Sequence, residues 1–158
     1  MTAAEFAELR ATMIAEYATE QVRAELLVLS EAREVAIRQM DELLPEGLYT
    51  GEMRFFTAEV ADHRVVGHVW FAMREPENSP PTAWLYGIEV VPSQRGKGYG
   101  RALLDAVERC AADEGATSLG LNVFAGNTVA RNLYDAAGYA LTAQQLRKRL
   151  PIHRGYDR

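Results

Sequence analysis

Gln94-Arg95-Gly96-Lys97-Gly98-Tyr99-Gly100 decides the reading of this chain, because it closes an apolar strand and opens a helix at once. Ahead of it runs Trp84-Leu85-Tyr86-Gly87-Ile88-Glu89-Val90-Val91-Pro92, and behind it Arg101-Ala102-Leu103-Leu104 starts a helical period. A glycine-rich turn between strand and helix points several backbone N–H groups, and the positive end of the helix dipole, at one spot where a diphosphate can bind. Arg95, Lys97 and Arg101 add cations there. Their spacing alone would equally suit a solvated charged turn, but the glycines and the flanking strand favour the ligand reading. A Walker loop is a poor fit, since Tyr99 stands where a magnesium-binding hydroxyl would be needed. A dinucleotide fingerprint fits poorly too, because position 120, where a ribose-binding carboxylate would be expected, is Gly120.

The segment Arg95-Gly96-Lys97-Gly98-Tyr99-Gly100 resembles the acetyl-CoA signature of the GNAT superfamily of N-acetyltransferases, Gln/Arg-x-x-Gly-x-Gly/Ala. A second block at the family's distance adds specificity. It reads Ser118-Leu119-Gly120-Leu121-Asn122-Val123-Phe124, then Asn127, Ala130, Leu133-Tyr134 and Gly138-Tyr139. With the preceding hairpin the resemblance covers about residues 50 to 150. It implies an α/β (α+β) fold: one domain over 1–158 with a central mixed, mostly antiparallel, splayed sheet flanked by helices. Within it, 1–48 would wall the acceptor side, 50–150 would form the cofactor-binding core, and 151–158 reads as a loose tail.

Size and composition agree with one globular domain. The 158 residues are 48% hydrophobic and 25% charged. A net charge of -5, from 17 basic and 22 acidic residues, lacks the strongly basic footprint of a nucleic-acid binder. No run approaches the roughly 18 apolar residues of a membrane span. The N-terminus has no basic segment followed by an apolar one, so cytoplasmic residence is the expectation. The one cysteine, Cys110, excludes an internal disulfide and shares a helical face with Leu103, Val107 and Ala111. It reads as a small core residue.

Phe6, Leu9, Met13, Ile14 and Tyr17 recur at helical spacing, and Thr2-Ala3-Ala4-Glu5 reads as a capping box. A further helical stretch is expected from about Val22 to Leu44, unbroken or restarted at Ser30. Met53–Val60 and Val65–Met73 read as a hairpin turning at Asp62-His63-Arg64. Glu75–Pro81 is a polar loop. Then come the strand through Val91, the signature helix to about Glu114, a strand over 118–124, a short helix over 128–137 and a last strand from about Ala140 to Leu150. That strand, if exposed, is suited to pairing with a second copy, so a homodimer is open. Many members begin with a short strand, whereas this chain begins at a helix cap.

The resemblance further implies acetyl transfer from acetyl-CoA, as acyl-donor cosubstrate, to a primary amine of a small molecule or peptide, by direct attack in a ternary complex and without a metal. Deprotonating an alkylamine of pKa about 10.4 at neutral pH costs roughly 4.6 kcal/mol, which a base or a dry site must offset. On this reading the backbone of Ile88, Glu89 and Val90 pairs with the pantetheine arm, and the amides of Gly96, Lys97, Gly98, Tyr99, Gly100 and Arg101 hold the diphosphate. Tyr134 matches the proton donor to the departing thiolate. Asn127 bonds the cofactor arm, caps the following helix, or both. Several members carry a glutamate where this chain has Asn122, so the base must lie elsewhere. Glu89, an odd residue for a buried strand, leads, with His68, Glu59 and Tyr86 behind it, although a solvent-facing or ion-paired Glu89 suits the sequence equally. Trp70 and Trp84 read as core aromatics, or as an aromatic wall beside an amine. The alternative function is a non-catalytic acyl-CoA-binding sensor or interaction module.

Overall fold

The computed structural model describes residues 1–148. The chain opens on α1 (Ala3–Arg23), capped as the sequence predicts: Thr2 Oγ1 accepts from the Glu5 N–H, and the Glu5 carboxylate accepts from the Thr2 N–H. α1 ends because Glu25 takes a left-handed conformation with φ 55°. The second helix therefore begins later than the expected Val22: α2 spans Leu29–Leu43. The two lie side by side, joined by the Arg10–Asp41 ion pair.

Strands β1 (Met53–Glu59), β2 (Val65–Arg74) and β3 (Thr82–Val90) form an antiparallel meander. β4 (Leu119–Leu121) adds in parallel to β3, giving the order β1-β2-β3-β4 among the described residues. Between β3 and β4 runs α3 (Tyr99–Asp113), and after β4 comes α4 (Thr128–Ala137). Among the described residues the sheet starts after the two helices.

The sheet separates two apolar layers. Phe6, Leu9, Ile14, Ala36 and Met40 of α1 and α2 pack on Phe55 and Trp70. On the opposite face Leu103, Leu104, Val107 and Ala111 of α3, with Tyr134 of α4, cover Val69, Phe71, Ala83 and Leu85. Cys110 is half-buried at the margin of that second layer rather than inside it, its thiol pointing at Glu114 Oε1.

Two expected strands are corrected. The strand over 118–124 shrinks to three residues, because its pairing ends at Leu85↔Leu121, immediately before a bulge in β3. The last strand is absent from its described part: 140–148 is irregular and exposed, and Arg147 donates to the Glu25 carbonyl at 2.9 Å, holding the segment at the α1–α2 turn. Residues 149–150 of that strand and the expected loose tail lie outside the described residues.

Gly67 marks the tightest crossing in the sheet. A Cβ there would sit 2.2 Å from the Glu89 carbonyl oxygen and 2.8 Å from Leu103 Cδ1. Gly67→Ala is expected to destabilise by roughly 1–3 kcal/mol in urea or thermal unfolding. Gly51→Ala, whose Cβ meets nothing within 4 Å, should stay within about 0.5 kcal/mol of the parent. Equal stability of the two variants would contradict this packing.

Candidate functional site

The glycine turn takes the geometry its sequence suggests. Pro92–Gln94 forms one 3-10 turn, and Gly96 and Gly98 follow with φ +74° and +84°. A Cβ at either would meet nothing within 4 Å, so the loop backbone is open to a ligand. Gly98 is the N-cap of α3 and offers no side chain to the first-turn amides. These unclaimed N–H groups, with the positive end of the helix dipole, make an anion seat.

The three cations gather at this turn, but each is already engaged within the protein. Arg95 Nε donates to the Val90 carbonyl at 3.0 Å. Lys97 Nζ donates to the Ser93 carbonyl at 3.1 Å and to Oε1 of the buried Gln94 at 3.0 Å. Arg101 bonds Asp105 at 2.8 Å and the Ala136 carbonyl at 3.0 Å, tying α3 to the end of α4. Arg95 and Lys97 thus brace the loop from beneath.

The edge of β3 leading into this loop is where the sheet opens. Ala83 directs its N–H across to Ser118, toward β4. Backbone direction alternates along a strand, so without interruption residues 85, 87 and 89 would face the same way. The bulge inserts Tyr86, since Trp70 pairs with Gly87 while Phe71 pairs with Leu85. Parity is reversed beyond it. The Glu89 carbonyl lies against Gly67, and the Val91 N–H donates to Val66 at 3.0 Å, both toward β2. Ile88 and Val90 are thereby turned to the edge that β4 no longer covers. Of the three strand residues expected to line the cofactor arm, these two present backbone groups to the opening.

The same bulge sets the faces. Ile88 and Val90 side chains pack with the α3 layer that holds Tyr134, while Glu89 falls opposite His68, which in turn pairs with Thr57. A sequence reading missed Glu16 of α1, which comes close enough for the Glu89 charge to act on it. Burial first, and then Glu89, push the Glu16 carboxyl above the usual carboxylate range, with Arg95 opposing. His68 Nδ1 is sealed from solvent and has no hydrogen-bond partner among the described residues. Glu89, Glu16 and His68 thus come from β3, α1 and β2 to the side of the sheet opposite Tyr134. Glu59 lies away from them, beside His63 at the hairpin turn.

Tyr134 is buried, 5.6 Å from the Tyr139 ring by centroids, and burial raises its phenol above the ordinary range. It therefore stays protonated at neutral pH. Tyr139 is raised further by burial and the nearby Glu108. Asn127 caps α4, its Oδ1 accepting from the Ala130 N–H at 3.1 Å. Across the opening, Tyr17 of α1 meets Phe124 with ring centroids 6.0 Å apart. Trp70 is a core residue between Phe55 and Tyr86. Trp84 carries the Arg74 guanidinium 4.8 Å above its ring, and Arg74 also donates to the Tyr86 hydroxyl. Among the described residues no cluster of metal-binding side chains occurs and no helix is long and apolar enough to cross a membrane.

The acetyltransferase (GNAT) family matches this chain over residues 14–139. The chain belongs to the GNAT acetyltransferase family. It is 32% identical over 134 residues to the uncharacterized N-acetyltransferase YycN of Bacillus subtilis (strain 168), 85% of each chain being covered. The crystal structure of that putative acetyltransferase superposes with a TM-score of 0.90 at 30% identity, covering 96% of both chains. The aminoglycoside N(6')-acetyltransferase type 1 of Stenotrophomonas maltophilia is 30% identical over 115 residues, covering 70% of this chain and 75% of that one. A solved aminoglycoside N-acetyltransferase, AAC(6')-Iy in complex with CoA, matches at 25% identity and a TM-score of 0.55, covering 73% of this chain and 90% of that one. GNAT enzymes use acetyl-CoA, and this chain is an acetyl-CoA-dependent acyltransferase. The open loop at Gly96 and Gly98 has the shape and exposed amides that suit a diphosphate, and the Ile88 backbone and the Val90 N–H at the strand edge suit an amide-bearing arm.

A carboxyl held above its unfolded value favours folding when protonated and disfavours it when ionised, so Glu16 costs stability above its folded value and none well below its unfolded one. Its side chain reaches solvent, which keeps the effect small. Glu16→Gln is expected to melt ~1–3 °C higher than the parent at about pH 7 and no higher at about pH 4, by scanning calorimetry. A lower melting temperature at neutral pH would show that Glu16 is stabilised where it sits.

Proposed function

We propose that the protein transfers the acetyl group of acetyl-CoA to a primary amine of a small or peptide acceptor, by direct attack with both substrates bound. The observation that carries this is the bulge-reversed strand. It turns Ile88 and Val90 toward a donor at the open edge and aims Glu89 at the opposite side, beneath α1. The amides from Gly96 to Arg101 would hold the diphosphate, and the Ile88 and Val90 backbone would pair with the pantetheine arm like an added strand. A cationic amine entering between α1 and β3 would meet the Glu16 and Glu89 carboxylates. Relatives named for aminoglycosides, which carry such amines, support that acceptor chemistry.

Glu89 takes one proton from the ammonium group, directly or through a water, and frees the nitrogen lone pair. The C–N bond then forms at the acyl carbon as the C–S bond breaks. Tyr134, kept protonated by burial, gives its proton to the departing sulfur, and the second proton shed by the acylated nitrogen restores the phenol, so that Glu89 holds the one proton released overall. Bringing both substrates together in the right orientation lowers the barrier by several kcal/mol more, so no covalent acyl-enzyme is needed.

Steady-state kinetics with a panel of primary amines tests the roles. Tyr134→Phe should lower kcat by about 100-fold or more while KM for acetyl-CoA changes less than about threefold. Glu89→Gln should lower kcat/KM for the amine and flatten its rise with pH, leaving acetyl-CoA affinity unchanged. Parallel losses of turnover and cofactor affinity in either variant would remove that residue from its role.

A further inference from the structure

On the sheet face turned to α1 and α2, at the end of β3 away from the glycine loop, a cation sits on an aromatic platform. Trp84 and Tyr86 alternate with Ala83 and Leu85, which belong to the α3 layer, so both rings lie on the opposite face, where Tyr86 packs on Trp70. The Trp84 indole spreads across β4: a Cβ on Gly120 would stand 2.6 Å from its Cζ3, so glycine is what leaves it room. Arg74, at the end of β2, lays its guanidinium 4.8 Å from the Trp84 ring centroid and 5.9 Å from that of Tyr86. It also donates to the Tyr86 hydroxyl at 3.0 Å.

This held cation lacks an anion. Glu75 and Glu77 follow it in the loop, yet among the described residues Arg74 makes no ion pair. Arg10, Arg23, Arg54, Arg64 and Arg101 each meet a carboxylate. The remaining N–H groups of Arg74 form a planar fork kept in place by stacking, the arrangement that takes a carboxylate through two parallel hydrogen bonds. The Tyr86 hydroxyl accepts from Arg74 and keeps its own proton to donate to the same guest. Arg74 already fills the ring face that would otherwise suit an ammonium. The carboxylates of Glu89 and Glu16 lie farther along the same face. Tyr86 and Glu89 are three residues apart on β3, about 8–10 Å at roughly 3.3 Å per residue with the bulge between them.

We propose that the acceptor is an amine that also carries a carboxylate, in the form of a short unblocked peptide whose C-terminal carboxylate docks in the Arg74 fork while its N-terminal amine lies at Glu89. An extended chain covers about 3.5 Å per residue, so three residues span that separation. What happens at the amine rests on the acetyl-transfer reading, whereas docking of the carboxylate does not. Arg74 thereby sets specificity, since it repels an acceptor bearing a second cation at this end and separates zwitterions from polyamines.

Tripeptides beginning with glycine, alanine or phenylalanine, each as the free acid and as the C-terminal amide, test this with the full chain and acetyl-CoA. The parent should use the acids with kcat/KM about tenfold or more above the amides, the difference falling on KM. Arg74→Met keeps an apolar stem on the rings and should bring that ratio near one. Arg74→Lys, a charge without the fork, should leave it in between. Arg74 is exposed, so both variants should keep the parent's circular dichroism. A parent indifferent to the carboxylate, or a preference that Arg74→Met retains, overturns the proposal and leaves acetyl transfer standing. If no peptide is acetylated, calorimetric titration of the same pairs decides. Tighter binding of the acids, lost in Arg74→Met, upholds the carboxylate seat and places the failure with the transfer reading. Binding that ignores the carboxylate overturns the proposal.

Discussion

Each residue of β3 can direct its backbone groups to one edge of the strand only, and the pairing with β2 decides which. Up to Leu85 the strand is shared, with β2 on one side and the short β4 on the other. The extra residue Tyr86 then shifts the register by one position. Everything that distinguishes the site follows from that shift. The β4 pairing stops, the Ile88 backbone and the Val90 N–H are turned to the opening while the Val90 carbonyl is taken by Arg95, and Glu89 is carried to the face under α1. Gly87 is needed at the bulge because the Trp70 indole passes 2.6 Å from where its Cβ would be. Backbone groups left unpaired at an edge must find water or a ligand, so the opening is chemically unsatisfied by construction.

The electrostatics are divided between the two faces of the sheet. On the α3 side, burial keeps the phenols of Tyr134 and Tyr139 protonated, in an apolar layer that also contains Leu85, Ile88 and Val90. On the α1 side, two carboxylates come together with a histidine. A site with a proton donor on one side and acceptors on the other has the polarity that acyl transfer to an amine requires. The positive loop sits at the end of both layers, its cations already satisfied by Val90, Ser93 and Gln94. That internal bonding fixes the loop's shape without a ligand, which would lower the entropy lost on binding the proposed diphosphate.

What the sequence made legible was set by local conformational preference. Gly96 and Gly98 need a left-handed backbone, Thr2 and Glu5 cap one another, and β1 to β3 carry β-branched and aromatic residues over the right lengths, so turn, helix start and hairpin were all readable. The direction Glu89 faces was not, because a one-residue bulge leaves no periodic trace beyond a glycine. Glu16 was invisible for another reason: it matters only because the fold brings it within reach of the Glu89 charge, a tertiary fact. The segment after Tyr139 looked like a strand by position, yet its run of Gln144, Gln145, Arg147 and Lys148 provides no apolar face to hold it on its own sheet. The sequence places Arg95, Lys97 and Arg101 at the turn as cations, but the carbonyls and carboxylate that engage them are set by the folded chain.

In the proposed reaction the bulge presents the backbone of Ile88 and Val90 to the acyl donor. Residue-resolved amide hydrogen exchange with and without coenzyme A tests it most directly. Fast exchange is expected at Ile88 and Val90 in the free protein, with marked protection at both in the presence of coenzyme A and little change at Glu89, whose backbone already faces β2. Unchanged exchange at Ile88 and Val90 in coenzyme-saturated protein would contradict it.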